Sequence, residues 1–240
     1  MTEKKHLIVN TDDFGLSTDV NRGIIEAYEK GIVTSASLMV RWSAAKEAAA
    51  YGKANQNLSI GLHVDLYEWI YRKGDWMPLY EVVQVDDRTA VMKEVSKPID
   101  IFHKLTGQDP THIDSHQHVH QQEPVRSILI ELARDIKVPF RHFTPEIKYC
   151  SGFYGQTTEG SPFPDAISVK GLLKILETLP SGFTELACHP GAGGDLETIY
   201  CSEREQEVKV LCDPKIRASI VDLELELCAF SEASKLLASP

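Results

Sequence analysis

The stretch HLIVNTDDFGLS, residues 6–17, joins a short apolar run to two adjacent carboxylates and a helix-capping serine. Residues 6–11 have the apolar character of a buried strand, and Ser17 or Thr18 can begin a helix that ends at Gly31. A strand, a polar turn and a helix in this order form the repeating unit of an α/β protein. The start of the chain therefore predicts the α/β class.

The same alternation of strand and helix continues to the end of the chain. Further strands are predicted at residues 34–40, 58–66, 111–114, 138–143, 184–188 and 225–230, and helices at residues 43–54, 89–105, 124–135, 169–179, 203–211 and 215–221. Two longer segments, residues 67–87 and 144–165, are predicted to be irregular loops. Seven strands that alternate with helices predict one domain, residues 1–240, built on a parallel sheet that is either open or closed into a barrel.

The composition argues against several classes of function. The 240 residues carry a formal net charge of −10, and no run of Lys and Arg provides the surface that nucleic acids and anionic membranes require. Five widely spaced cysteines form no CxxC pair, and the N-terminus lacks the apolar stretch of a secretion signal. No apolar run reaches the length of a membrane span. We therefore expect a reduced, soluble, cytoplasmic protein without a nucleic-acid partner.

Four polar clusters lie where predicted strands end, which is the edge that forms the functional face of parallel α/β folds. They are NTDDFG at 10–15, GLHVD at 61–65, HIDSHQHVH at 112–120 and CHPG at 188–191. The third cluster holds four of the nine histidines of the chain, and imidazole is the commonest metal ligand in proteins. This density favours a metal or catalytic site over a solvated surface run.

Each of the other clusters also has a structural interpretation. Asp12 and Asp13 could form a capped turn at Gly15, and His63 or His189 could satisfy a backbone hydrogen bond. Taken together, one carboxylate and two histidines from three strands match the ligand set of an open, reactive metal site, which leaves positions for water and substrate. A structural zinc site would instead fill its four positions, usually with cysteines.

The four motifs, in this order along residues 10–191, resemble those of the YdjC-like carbohydrate deacetylases. The resemblance implies a distorted, seven-stranded (β/α) barrel related to polysaccharide deacetylases. It also implies a bound divalent metal, usually Mg²⁺, and a homodimer. Because two imidazole ligands suit Zn²⁺ or another transition metal better than Mg²⁺, the identity of the metal stays open.

The resemblance also assigns roles to residues that match its motifs. His63 and His116 would be metal ligands, and Asp13 would be the third ligand. Asp12 would be the general base, by similarity to the paired aspartates of polysaccharide deacetylases. His189 would be the general acid.

Residues outside the four motifs are candidates for substrate binding. Arg141 and Arg204 resemble recurrent arginines of the family, and Arg141 is predicted to bind substrate. Trp69 and Trp76, in the long loop that follows His63, could stack on sugar rings or could pack the loop against the barrel. The sequence assigns no role to four further residues, which are His112, Asp114, His118 and His120.

These assignments predict a metal-dependent hydrolase that removes N-acetyl groups from acetylated amino sugars or short oligosaccharides by attack of a metal-bound water. Two alternatives stay open. The triplet His118-Val119-His120 resembles the His-x-His of barrel amidohydrolases and phosphoesterases, although theirs usually lies near the chain start. A sugar-binding protein without activity is the second alternative, but binding alone does not need both Asp12 and Asp13.

Overall fold

The centre of the molecule is strand β1 (Lys5–Phe14), which is buried beyond its first two residues. The computed structural model describes residues 4–72, 74–196 and 200–238. β2 (Ser35–Leu38) and β8 (Gly182–Cys188) both pair with β1 in parallel. β9 (Leu225–Leu227) pairs in parallel with the first three residues of β1. Strands in the middle of a parallel sheet are covered on both faces, which explains the near-continuous apolar run of β1.

Within the described residues, seven parallel strands form the main sheet. β3 (Ser59–Val64) pairs with β2, β6 (Ile113–Ser115) pairs with β3, and β7 (Ile147–Cys150) pairs with β8. The order is β6-β3-β2-β1-β8-β7, with β9 beside β1. In the described part of the chain no strand pairs with both β6 and β7, so the sheet is left open between them. The predicted fold class, a distorted (β/α) barrel with seven strands, is confirmed in the form of a curled half-barrel that is not closed.

Helices alternate with the strands along most of the chain, and the last helix follows β9. They are α1 (Thr18–Lys30), α2 (Ala45–Ala54), α3 (Arg88–Thr106), α4 (Val125–Ile136), α5 (Val169–Thr178), α6 (Ser202–Leu211), α7 (Pro214–Asp222) and α8 (Phe230–Ala238). The Oγ atom of Ser17 accepts a hydrogen bond from the backbone N–H of Val20 at 3.1 Å, so α1 begins at the predicted cap. Among the described residues, no helix has the length and apolar character needed to cross a bilayer.

The prediction of an irregular loop at residues 67–87 was wrong. β4 (Tyr67–Arg72) and β5 (Asp75–Glu81) form a separate antiparallel hairpin. Gly74 adopts a φ of 86° at the turn, in the left-handed region that favours glycine. The rings of Tyr71 and Trp76 contact each other across the two strands, and such aromatic pairs stabilise a hairpin.

The strand predicted at residues 138–143 is also absent. Only Phe140 forms a bridge there, in parallel with Ile113 at the edge of β6. His142 has a left-handed φ of 67°, and the carbonyl of Phe140 accepts hydrogen bonds from the backbone N–H groups of Phe143 and Thr144. This turn ends the extended conformation, and the paired strand β7 lies further along, inside a segment predicted to be irregular.

The alternation of side chains along β1 separates the core from the site. Leu7 and Val9 belong to the main hydrophobic core, whereas Ile8 packs in a smaller cluster with Phe230 of α8. Because alternate side chains of a strand share a face, Asn10 and Asp12 extend the face of Ile8. The inner face therefore changes from apolar to polar towards the end of β1.

Candidate active site

A bulge in β1 brings two adjacent aspartates to one site. The pairing of β1 with β2 shifts its register between Thr11 and Phe14, and Asp13 adopts a left-handed φ of 67°. On a regular strand, neighbouring side chains face opposite sides and could not share a site. With the bulge, the buried carboxylates of Asp12 and Asp13 both lie beside His63.

Asp13, His63 and His116 converge on one point. Oδ1 of Asp13 lies 3.4 Å from Nε2 of His63 and 3.0 Å from Nδ1 of His116. The three side chains come from β1, from β3 and from the 3₁₀ segment His116–Gln121 that follows β6. Neighbouring ligands of a cation with bonds of about 2.1 Å lie about 3.0 to 3.4 Å apart, so these atoms fit a single cation.

The surroundings of His63 support a cation at this point. Its buried Nε2 atom has no hydrogen-bond partner, which is unfavourable unless a ligand binds it. Its Nδ1 atom lies 2.7 Å from Oδ1 of Asp114, a contact that typically orients metal-binding imidazoles. Two imidazoles and one carboxylate are also donors of the kind that transition metals prefer.

Asp13 is held in its ionised form. Nη2 of Arg204 donates a hydrogen bond to Oδ2 of Asp13 at 2.6 Å. Burial opposes ionisation, but Arg204 and His116 together outweigh it and hold the pKa of Asp13 well below its ordinary value. The carboxylate is therefore ready to bind a cation through the oxygen that faces the two histidines.

Asp12 belongs to a buried ion cluster centred on Arg141. Nη1 and Nη2 of Arg141 donate to the two carboxylate oxygens of Asp12, each at 2.7 Å. Nη2 also lies 2.9 Å from Oδ2 of Asp114 and 2.7 Å from Oε1 of Glu185. Burial raises the pKa of Asp12, but Arg141 outweighs it, so the net shift is downward. Asp12 is an ionised carboxylate in a fixed orientation.

Arg141 has no surface to offer a ligand. Its side chain is 1% exposed, and its donors are directed at three buried carboxylates. This burial argues for a role in positioning Asp12, and the substrate contact predicted from the sequence stays a prediction. Burial raises the pKa of Glu185, the third carboxylate, to about 7.

His189 lies on the open side of Asp12. Its Nε2 atom is 3.7 Å from Oδ2 of Asp12, and its side chain is 21% exposed. Its backbone N–H donates a hydrogen bond to the carboxylate of Glu207, which fixes the turn after β8. Burial lowers the pKa of His189 to about 4, so its imidazole is neutral near pH 7.

A cavity of about 550 Å³ lies near the site, and its lining, among the described residues, includes no aspartate or histidine. Trp69 and Trp76 of the β4–β5 hairpin line it on one side and Tyr154 lines it on another. The ring of Tyr154 contacts that of His189, with centroids 5.3 Å apart. The side chain of Gln117, the residue after His116, bonds to the backbone N–H and carbonyl of Trp69. The hairpin is thus attached to the segment that carries His116.

Three contributors to this arrangement received no role from the sequence. Asp114 supports His63, Glu185 shares Arg141 with Asp12, and Tyr154 contacts His189. A signal for Glu185 did exist, because a glutamate inside a strand predicted to be buried needs a charged partner. Tyr154 lies in a segment without periodicity and carried no such signal.

The sequence pattern of the family described as YdjC-like protein matches residues 6–222. The chain belongs to this YdjC-like family. The match covers all four motifs and most of the chain, and it confirms the predicted family.

Relatives in the family are similar over nearly their whole length. A carbohydrate deacetylase of Geobacillus stearothermophilus is 30% identical over 256 residues, which cover 97% of this chain and 99% of that protein. A chitooligosaccharide deacetylase of Serratia marcescens is 30% identical over 264 residues, which cover 95% of this chain and 99% of that protein. The names of these YdjC-like relatives confirm the predicted enzyme class, a carbohydrate deacetylase.

Solved structures support the fold. An Enterococcus faecalis protein, provisionally named a cellobiose-phosphate cleavage protein, matches with a TM-score of 0.73 and 25% identity, covering 98% of this chain and 100% of that one. A peptidoglycan deacetylase from Bacillus subtilis matches with a TM-score of 0.54 and 14% identity, covering 98% of this chain and 92% of that one. The second match concerns the fold alone, and it shows that this chain shares the overall fold of that deacetylase.

Proposed function

We propose that this YdjC-like chain uses a divalent cation to remove N-acetyl groups from acetylated amino sugars or short oligosaccharides. The observation that carries the proposal is the convergence of Asp13, His63 and His116 beside Asp12. A binding protein would not need an ionised carboxylate next to a complete ligand set. The names of the relatives agree with this activity.

Asp13, His63 and His116 would hold the cation, which when bound would acidify a water molecule and polarise the acetamide carbonyl. Asp12 would accept the proton of the attacking water. It suits this role because Arg141 keeps it ionised and fixes both of its oxygens. The reaction forms a C–O bond to the acetyl carbon and breaks the C–N bond to the sugar.

The departing amine needs a proton, and His189 is the group that would deliver it. Because its pKa is about 4, His189 is neutral near pH 7 and must first receive the proton. The nearest source is Asp12, whose Oδ2 lies 3.7 Å from Nε2 of His189. The proton taken from water would therefore pass from Asp12 through His189 to the sugar nitrogen.

The cavity supports a sugar substrate. Its volume of about 550 Å³ lies within the range of small-molecule sites, which is about 300 to 1,000 Å³. Trp69, Trp76 and Tyr154 offer aromatic faces for apolar sugar surfaces, and Gln122 offers an amide group for hydrogen bonds with hydroxyls. A disaccharide fits this volume, and its acetamide would approach the site beside Tyr154, whose ring contacts His189.

The identity of the cation is a separate part of the proposal. The two imidazole ligands favour Zn²⁺, Co²⁺ or Ni²⁺, because Mg²⁺ prefers oxygen ligands. The family resemblance implies Mg²⁺. Elemental analysis of protein purified without a chelator distinguishes these metals. The homodimer and the cytoplasmic location stay predictions.

The activity is tested by measuring acetate release from short N-acetylglucosamine oligomers, in parallel with phosphate release from a model phosphoester. We expect acetate only. Asp12→Asn should lower the rate by about 10²- to 10⁴-fold while retaining the metal, since it removes one acid–base group. The matched control is Asp109→Asn, whose side chain is 62% exposed and should leave the rate unchanged.

Two results would contradict this proposal. Release of phosphate without acetate would indicate a phosphoesterase. Wild-type turnover by Asp12→Asn would remove Asp12 from the role of base, even if acetate is released.

A further inference from the structure

Three histidines that the proposed reaction does not use lie together on the other side of the segment that carries His116. They are His118, His120 and His142, and one potential ligand atom from each lies within 4.8 Å of those of the other two. Gln117 and His118 have left-handed φ angles of 47° and 53°. This turn separates His118 and His120 from His116 along the segment.

The ring nitrogens of His118 and His120 are arranged like those of metal ligands. Nδ1 of His118 and Nε2 of His120 are buried and have no hydrogen-bond partner. The second nitrogen of each ring is held: Nε2 of His118 lies 3.2 Å from the hydroxyl of Tyr149, and Nδ1 of His120 lies 2.6 Å from Oγ of Ser115. Metal-binding imidazoles typically have one nitrogen fixed in this way while the other binds the ion.

Ring packing alone does not explain this arrangement. The rings of His118, His120 and His142 lie 5.3 to 5.5 Å apart and pack against Phe140 and Tyr149. Packing would be satisfied equally well by phenylalanine and leaves buried ring nitrogens unpaired, which is unfavourable. Two of the three histidines also have left-handed backbones, a conformation that few residues other than glycine adopt.

The surroundings allow a cation. His120 is fully buried and His142 is exposed. One end of the cluster therefore lies inside the protein, and the other end opens to solvent. The nearest fixed positive charge is Arg141, whose guanidinium lies 5.1 Å from the centre of the Tyr149 ring. That charge is compensated by Asp12, Asp114 and Glu185.

We propose that His118, His120 and His142 bind a second divalent cation of the zinc class, at a site that shares no residue with Asp13, His63 and His116. Three neutral imidazoles are poor ligands for Mg²⁺ and Ca²⁺ but suit Zn²⁺, Co²⁺, Ni²⁺ and Cu²⁺. The exposed side at His142 leaves a coordination position for water or an anionic ligand. This inference does not depend on the proposed deacetylation.

The test is a Co²⁺ titration of the chelator-treated full chain, followed by visible absorption and by equilibrium dialysis. We expect His142→Ala to bind one equivalent fewer than the wild type. His142 is exposed, so the substitution should preserve the fold, and circular dichroism checks this. The matched control is His103→Ala, a partly exposed histidine of α3 whose loss should leave the stoichiometry unchanged.

A second variant separates a three-histidine site from binding by a single surface histidine. His118→Asn should lose the same equivalent as His142→Ala. Equal stoichiometry in the wild type and His142→Ala would overturn the inference, and so would full binding by His118→Asn. The test compares the number of Co²⁺ equivalents bound by the wild type and by each variant. Its outcome therefore does not depend on whether the cluster of Asp13, His63 and His116 also binds Co²⁺.

Discussion

At the scale of single residues, the orientation of Asp12 depends on Arg141. A guanidinium can contact both oxygens of a carboxylate, whereas an ammonium offers a single charged point. We expect Arg141→Lys to lower kcat by about 10- to 100-fold with little change in KM, because a misplaced base weakens the reaction and not substrate binding. Steady-state kinetics on an N-acetylglucosamine oligomer measure both constants.

The pH profile gives a second readout for Arg141. Arg141 holds the pKa of Asp12 below its ordinary value, so the weaker ion pair in Arg141→Lys should let that pKa rise. Activity that requires ionised Asp12 is lost as the pH falls, and the acid limb of kcat/KM should move to higher pH. Arg126→Lys, at an exposed ion pair with Glu123, is the control. A higher KM with unchanged kcat would instead return Arg141 to the substrate-binding role.

At this scale, the sequence could predict which side chains lie close together only for residues at the ends of strands. The clusters that contain Asp13, His63 and His116 stood out because each lies at or just after the end of a predicted strand, and parallel strands end at one edge. The family resemblance then selected these three residues within the clusters. The bulge at Asp13 could not be predicted, since it depends on the register of β1 against β2. Without it, adjacent aspartates should face opposite ways.

At the scale of elements, the β4–β5 hairpin forms one wall of the cavity. We expect Trp76→Ala to raise KM for a sugar oligomer about fivefold with kcat nearly unchanged, since a stacking contact contributes about 1 kcal/mol. Met77→Ala is the matched control, because Met77 is 48% exposed on the same strand and is absent from the described cavity lining. An unchanged KM in Trp76→Ala would mean that the tryptophan only packs the hairpin.

The hairpin also illustrates why the sequence failed to predict some of the secondary-structure elements. Gly74 and Pro78 suggested a loop, and the alternation between them is short. The segment at residues 138–143 had the opposite problem, since its apolar residues predicted a strand that His142 interrupts. Local composition favours a conformation in each case, but the pairing partner decides it. The long strands and helices, which carry many periodic residues, were predicted within a few positions.

At the scale of the whole molecule, His112 joins elements from both ends of the chain. Its ring stacks on Phe230 of α8 with centroids 3.8 Å apart, and its Nε2 atom lies 3.0 Å from Oγ of Ser37 in β2. A Cβ at Gly61 in β3 would lie 2.4 Å from this ring, so glycine leaves the space that His112 fills. His112 is a structural residue of the inner face and not a ligand of the site.

The buried ring of His112 makes stability depend on pH. Burial, assisted by the charge of Arg141, lowers its pKa to about 4, whereas an unfolded histidine titrates near 6.5. Between these values the unfolded chain binds more protons than the folded one, so stability should fall as the pH drops from about 6.5 to 4. The expected loss from this residue is about 3 kcal/mol, at about 1.4 kcal/mol for each pH unit.

The measurement is the free energy of unfolding by urea between pH 4 and 7, for the wild type and His112→Gln. Glutamine does not titrate, so the variant should lose less stability on acidification than the wild type, whatever its stability at pH 7. His103→Gln removes a histidine at the exposed end of α3 and should keep the wild-type slope. Parallel pH dependences for His112→Gln and the wild type would show that His112 takes up its proton at the same pH in the folded and the unfolded chain, and would contradict this prediction.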